Sequence, residues 1–450
     1  MSNVIDKINN ALWGNLTIVL IFAAFIFLSF KCGFIQLKIK RIFKAFFSSD
    51  KDKKCSSSIA AVLAASMGTG NILGTAAALA AGGPGAVLWM NITAFFGMAA
   101  AYSENYLGIF SMKGKGKAAP FSYISQMPCG KFFSVIYGVL CICAAFTMGN
   151  MLQGSAACSA ASELTGSGKI TAALVISAVL APVILGGAER ISRAAERLIP
   201  PVSVIYIALA LGVVIINREN IPYAVGEIFR QGLGIKAAAG GAVGYTVRSA
   251  VSVGMRRGIF SNEAGLGSSA AVHSSSGITD PDKAGKWAAC EVFIDTVICC
   301  TLTALAVLTA GADISDDSAA VLSDTFGAAF GIMGEFLLSV CVMIFAASSV
   351  LGWCCCGELS LKNIGGGKKG VYIYRIMQVI LLFIGGAADI SSLWGLADIV
   401  NYLMLMINMT AVIAVSWGTE FREYDAIRKV YIKSDKTNGR LSCSHDKKCR

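Results

Sequence analysis

Charge is scarce in this sequence. Only 14% of its 450 residues are Asp, Glu, Lys or Arg, 55% are hydrophobic, and the mean hydropathy is +0.66. Soluble domains carry about 25% charged residues. A chain this poor in charge cannot cover its own surface with it, so the bilayer is its expected solvent. Histidine is scarcer still: His273 and His445 are the only two, too few for an intramembrane protease or a His-dependent transferase. There is no HExxH, no Gly-x-Ser-x-Gly and no Gly-Lys-Ser/Thr. Metalloprotease, serine-hydrolase and P-loop chemistry therefore lack their machinery, and an enzyme is not expected. A disulfide framework is missing too. The 15 cysteines are odd in number and mostly sit in apolar runs (Cys141, Cys143, Cys290, Cys299, Cys300, Cys341, Cys354 to Cys356), where a thiol acts as a small hydrophobe. Only the polar tail CSHDKKC, Cys443 to Cys449, groups three metal-type ligands. The net charge of +11 does not imply nucleic acid, because the basic residues form short clusters between apolar stretches, as they do when charge sets membrane orientation.

What is abundant is apolar length. Eleven segments can each hold about 17 to 25 residues in a bilayer: 13–33, 57–81, 86–110, 131–158, 170–188, 199–217, 241–270, 287–310, 328–356, 371–387 and 393–418. The first is followed, not preceded, by the basic KIKRIFK, so it reads as a retained helix rather than a cleaved signal. Basic loops follow the first, third, fifth and ninth segments (Lys38 to Lys54; Lys113, Lys115, Lys117 and Lys131; Arg190, Arg193 and Arg197; Lys362, Lys368 and Lys369), and the tail carries Arg428, Lys429, Lys433, Lys436 and Arg440. The opposite loops are short or acidic, notably Ala312 to Asp324. All the basic loops share the cytoplasmic side if the N-terminus is outside and the C-terminus inside.

With the first helix set aside, ten segments divide into two groups of five with opposite orientation. The expected organisation is an extra N-terminal helix and basic loop over 1–56, a first repeat over 57–217, an inverted repeat over 241–418 and a basic cytoplasmic tail over 419–450. Each group opens on a glycine-interrupted helix, ASMGTGNILG and GIFSNEAGLG. Interrupted segments at matching places in inverted halves point to a transporter's binding site. Gly68, Gly70 and Gly74 could instead suggest a nucleotide loop. The preceding SIAAVLAAS is helix-prone, however, and the next acid is Glu104, inside the following segment, which does not suit a dinucleotide fingerprint. Unwinding at Gly68–Asn71 frees N–H groups for a carboxylate and C=O groups for a small cation; close helix packing is the alternative use of such glycines.

GTGNILGTAAALAAGGPGAVLWM and RRGIFSNEAGLGSSAA resemble the two most diagnostic stretches of the alanine/glycine:cation symporters, also called sodium:alanine symporters. MGNMLQGSA (148–156), SSVLGWCCCGE (348–358) and SSLWGLADIVNYLMLMINM (391–409) match as well, so the resemblance covers about 10–420. It implies an all-α integral membrane protein of 11 transmembrane helices, with a leucine-transporter-like five-plus-five inverted repeat, one extra N-terminal helix and two broken helices. It implies import of alanine or glycine with sodium, or sometimes protons, across the plasma (inner) membrane, with no organic cofactor. Carried over by position, Thr69, Gly70 and Asn71 would meet the substrate carboxylate, Gln153 would reach the amino acid, Phe260, Ser261 and Asn262 would line the second break, and Trp353 would close a small apolar pocket. Sodium would lie between the carbonyls of Ala64 and Met67 and the hydroxyls of Ser348 and Ser349, hard oxygen ligands suited to it. The sequence departs from the family pattern in AAPFSYI (118–124), at Cys354 to Cys356, at Ile407 and at Asn91, positions that bear on the substrate and the inner gate.

Other polar residues at membrane depth carry two readings each. Asn150 shares a helix face with Gln153 and is either a substrate contact or interhelical glue. Arg256, Arg257 and Glu263, beside the second break, either meet substrate or form structural pairs that fix the unwound chain. Glu104 and Asp398 either relay a proton or make structural hydrogen bonds. Ser348 and Ser349 could bond back to their own helix, and Trp353 could be an interfacial anchor. A proton-coupled symporter or an exchanger of small amino acids is the alternative within transport; an ion channel is a further rival, though channels usually need several copies around a pore.

Overall fold

The computed structural model describes residues 2–47, 68–112, 118–234, 247–275, 277–315, 317–388 and 393–419. All regular elements among them are helical. An amphipathic α1 (Ser2–Leu12) leads into the apolar α2 (Asn15–Lys31), and the basic, amphipathic α3 (Ile39–Phe47) follows. Among the described residues, eight helices are long and apolar enough to cross a membrane: Gly85–Met112, Gly130–Thr165, Lys169–Gly186, Arg197–Ile216, Pro281–Ala310, Ile332–Asn363, Lys368–Ala387 and Leu393–Trp417. Of the other three expected segments, α2 is 17 residues, 57–81 is described only from residue 68, and 241–270 is interrupted after Asn262. In the segment expected at 57–81, α4 spans Leu73–Gly82; 57–67 lies outside the described residues. The segment expected at 241–270 splits into α12 (Val247–Asn262) and α13 (Ser268–Ser275).

The remaining elements are α5 (Gly85–Met112), the short α6 (Phe121–Ile124), α7 (Gly130–Phe146) running through a π segment at Thr147–Met151 into α8 (Leu152–Thr165), α9 (Lys169–Gly186) and α10 (Ala188–Ile216). After them come α11 (Ile221–Gly232), α14 (Pro281–Val292) running through a π segment at Phe293–Cys300 into α15 (Thr301–Ala310), α16 (Ser318–Phe330), α17 (Ile332–Asn363), α18 (Lys368–Ala387) and α19 (Leu393–Trp417). The ninth segment starts later than the expected 328. Asp317 caps α16 by accepting from the Ala319 and Ala320 amides, and Gly331 (φ +61°) then turns the chain into a new helix.

Burial separates centre from rim. The most apolar stretch of α5 is 67% buried, whereas those of α9 and α18 are 28% and 33% buried. Leu16, Val19, Ile170, Leu174, Val179 and Ile373 are each more than half exposed. Such a density of bare aliphatic surface fits lipid rather than water as the neighbour. At the centre, small residues let backbones touch: a Cβ on Gly254 would lie 2.5 Å from the Ala86 carbonyl, so α12 and α5 pack through that glycine.

Candidate functional site

The first break begins at Gly68, whose backbone is extended (φ −124°, ψ −170°), and passes through one 3-10 turn, Thr69–Asn71, before α4. A Cβ on Gly68 would overlap Ser349 Oγ, so α17 reaches the break only because residue 68 has no side chain. The second break runs from Glu263 to Gly267. Glu263 is left-handed (φ +55°), as are Gly265 (+85°) and Gly267 (+79°). A non-glycine residue there costs on the order of 1–3 kcal/mol and persists only where its surroundings fix it. Glu263 is fixed: its Oε1 accepts from Trp353 Nε1 at 2.8 Å and its Oε2 from the Ser268 hydroxyl.

Glu104, fully buried on α5, holds the far side of the same break. It accepts from the Gly267 amide (3.0 Å), Ser269 Oγ (3.2 Å) and Asn408 Nδ2 (2.8 Å). Asn408 also donates to Gly265 O (2.8 Å), Tyr123 donates to Asn408 Oδ1 (2.6 Å), and Tyr137 donates to Leu266 O (2.6 Å). Of the two readings for Glu104, the geometry gives it the structural hydrogen bonds. Glu104→Gln would turn an amide toward donors and leave at least one unmatched. It should therefore destabilise the fold by about 1–3 kcal/mol, measurable as a lowered midpoint of thermal unfolding in detergent.

The two breaks touch each other. Ser261 Oγ lies 2.6 Å from Asn71 Oδ1 and 2.7 Å from Asp295 Oδ2. A hydroxyl has one proton to give. Either the Asp295 carboxyl is protonated and donates to Ser261, or the Asn71 amide presents its nitrogen to that hydroxyl. A Cβ on Gly70 would sit 3.1 Å from Ser261 Cα, which is why a glycine suits the crossing. Thr303 donates to Asn71 O at 2.9 Å, and Thr69 donates to Gln153 Oε1 at 2.7 Å, which ties the first break to α15 and α8. Asn262 donates to Thr296 Oγ1 at 3.0 Å, and Thr296 donates to Asp295 Oδ2 at 3.1 Å. The root of Trp353 packs directly on the π segment, since a Cβ on Gly149 would overlap Trp353 Cβ and Cγ. Phe260 packs on Trp394, with ring centroids 5.2 Å apart.

Thr69, Gly70, Asn71, Gln153, Phe260, Ser261, Asn262 and Trp353 thus surround one region of the core. Ser349 borders Gly68, while Ser348 bonds back to Phe345 O at 2.7 Å on its own helix. Ala64 and Met67 lie outside the described residues, as does the Cys443–Cys449 tail. Asn150 turns the other way and donates to Gln378 O at 2.9 Å, which is interhelical glue. Arg256 pairs with Asp398 at 3.8 Å, and Arg257 stacks over Trp394 at 4.7 Å.

Sequence reasoning passed over Asp295. It is fully buried in a π segment of the 281–310 helix, and its Oδ1 has no hydrogen-bond partner among the described residues. The signal was there: a single acid inside the apolar VFIDTVICC, at membrane depth, where charge needs a purpose. Single-turn π insertions also recur at functional sites. Next to the first break, a cavity of about 670 Å³ is walled by α4, α8, α16 and α17.

An interrupted helix at 262–268 meeting a 3-10 turn at Thr69–Asn71 in the centre of an all-helical membrane protein is the arrangement of a multi-pass transporter. A solved structure described as MhsT in complex with L-phenylalanine shares the fold, with TM-score 0.55 at 16% identity over 79% of this chain and 87% of that one. The sequence is 32% identical to the sodium/alanine symporter AgcS of Methanococcus maripaludis (95% of this chain, 98% of that one). It is 29% identical to the probable sodium/glutamine symporter GlnT of Bacillus subtilis (92% and 88%). The sodium:alanine symporter family model matches residues 1–437; the chain belongs to that family.

Proposed function

We propose that the protein is a secondary symporter that takes up a small neutral amino acid, alanine or glycine, with sodium by alternating access. The observation that carries this reading is the chain Asn71–Ser261–Asp295, which ties the two unwound segments to each other and to a buried acid. Its elements follow the leucine-transporter-like plan: eleven membrane crossings, the first set apart, and two inverted groups of five (57–217 and 241–418). The N-terminus lies outside the plasma membrane and the C-terminus in the cytoplasm, so that the basic loops face inward.

In this reading Thr69, Gly70 and Asn71 offer N–H and side-chain donors to the carboxylate, and Gln153 fixes Thr69 and reaches the substrate. Phe260, Ser261 and Asn262 form the facing wall, and Trp353 closes the pocket. Ala64, Met67, Ser348 and Ser349 hold sodium on one side of the first break. Asp295, with Ser261 and Thr296, supplies oxygens on the other side. Transport needs no covalent step. The cation and the amino acid are coupled because both stabilise the same arrangement of the breaks. Asp295 also favours a second reading, proton coupling: a carboxyl that donates to Ser261 is a proton carrier at the same place.

Binding of labelled alanine and glycine to the purified protein tests the proposal. Sodium should tighten binding by about 10- to 100-fold over potassium, and Asn71→Ala should remove it. Binding that ignores sodium and follows pH would favour the proton reading. Unlabelled glutamine in competition would tell whether the pocket admits the longer side chain named for the Bacillus relative.

A further inference from the structure

The basic helix α3 has two faces with different surroundings. α2 gives way to two left-handed residues, Gly33 (φ +60°) and Phe34 (φ +51°), and α3 (Ile39–Phe47) begins shortly after them. Its apolar face is packed. Ile42 is fully buried, the Phe43 ring meets the Phe293 ring edge-on with centroids 5.7 Å apart, and Trp287 Nε1 donates to Ala45 O at 2.8 Å. The other face is cationic. Lys40, Arg41 and Lys44 share one side of the helix, Lys38 precedes them, and all four are exposed. No Asp or Glu occurs between Cys32 and Ser49, so nothing in this stretch of sequence offsets their charge.

The chain that leads into α3 is bare and apolar. Phe30, at the end of α2, and Leu37, just before α3, are 67% and 68% exposed. A cationic helix joined to bare apolar side chains where a membrane helix ends fits the boundary between acyl chains and headgroups. Each Lys or Arg near an anionic leaflet strengthens binding about fivefold. On the orientation proposed above, that leaflet is the cytoplasmic one. The packed face gives such binding a consequence. Phe293 opens the π segment Phe293–Cys300, which also carries Asp295, so α3 rests on the segment that holds the buried acid.

We propose that α3 is a binding site for anionic phospholipid headgroups, gripped by Lys40, Arg41 and Lys44, and that lipid held there steadies the π segment around Asp295. The lipid site stands without the symporter reading; its effect on sodium coupling rests on the proposed function above.

Purified full-length protein in detergent is titrated with phosphatidylglycerol or phosphatidylcholine, and bound lipid is counted by native mass spectrometry. Wild type should prefer phosphatidylglycerol by about 100-fold, and Lys40→Gln with Lys44→Gln should cut that preference to about fivefold. Lys40→Arg with Lys44→Arg should keep it, as should Lys368→Gln with Lys369→Gln at exposed positions on α18. Equal affinity for the two lipids in wild type leaves the cations to another partner, such as an acidic protein segment, and overturns the site. An equal loss in the α18 pair also overturns it, because the preference would then follow net charge alone. The consequence is read from sodium-driven alanine uptake in phosphatidylcholine vesicles with and without phosphatidylglycerol. Anionic lipid should lower the sodium concentration for half-maximal uptake about fivefold in wild type and leave it unchanged in the Lys40→Gln, Lys44→Gln protein. The same change in both proteins would be the surface potential acting on sodium itself, and it overturns the link to Asp295, as does no change in either. Uptake absent from both kinds of vesicle counts against the symporter reading and leaves the lipid site standing.

Discussion

Asp295→Ala should lower sodium-driven amino-acid uptake by about 100-fold, the loss expected when a buried charged partner worth about 2–3 kcal/mol is removed. The carboxylate is fully buried, lies within hydrogen-bond reach of the Ser261 and Thr296 hydroxyls and the Asn71 amide, and has no ion pair among the described residues. An ionised carboxylate cannot stand alone there; it needs a cation or a proton. Asp295→Asn separates these roles from simple packing. It keeps the volume and hydrogen-bonding capacity, so the fold and amino-acid binding at saturating sodium should survive. The sodium concentration for half-maximal uptake should rise about tenfold, because one formal charge is missing from the ion's surroundings. An unchanged sodium dependence in Asp295→Asn would take this residue out of the coupling site.

The second large effect is expected at a glycine that makes no polar contact. Gly149 faces the root of Trp353, and a Cβ there would overlap Trp353 Cβ itself. Trp353 has no room to give way, because Glu263 holds its indole N–H at 2.8 Å. Gly149→Ala must therefore push α17 away from the π segment at Thr147–Met151, an overpacking that costs about 1–3 kcal/mol. Amino-acid binding should weaken by about 10- to 100-fold, read by titration with labelled alanine. Adding Trp353→Ala should not restore it, since the clash is with the first side-chain carbon, which alanine retains. Near-wild-type binding by Gly149→Ala would mean that Trp353 does not close the pocket.

Much of this architecture was legible in the sequence because membrane helices announce themselves by length and apolar content. The glycines at 68, 70, 265 and 267 marked both interruptions, since a chain at membrane depth unwinds only where something requires it. Thr69 and Gln153 could be set side by side only through the family resemblance; nothing in their spacing brings α8 to the break. Asp295 was missed for a different reason. Hydropathy averages over a window, and one acid among Val, Phe, Ile and Cys barely moves the average, although its cost at that depth is large. Glu104 was visible but ambiguous, because a buried acid looks the same on paper whether it carries a proton or caps a helix. Its three donors, on two other parts of the chain, exist only in the folded state. The acidic interval before α17 hid α16 as well: it read as an outer loop, and Asp317 becomes a helix cap and Gly331 a turn only in the folded chain.

The most direct measurement is uptake of labelled alanine into proteoliposomes with an inward sodium gradient, with no gradient, and with an inward proton gradient, for wild type and Asn71→Ala. Accumulation above equilibrium is expected with the sodium gradient alone, and its loss in Asn71→Ala. Accumulation driven only by protons would contradict the sodium assignment, and equal equilibration under all three conditions would contradict coupled transport itself.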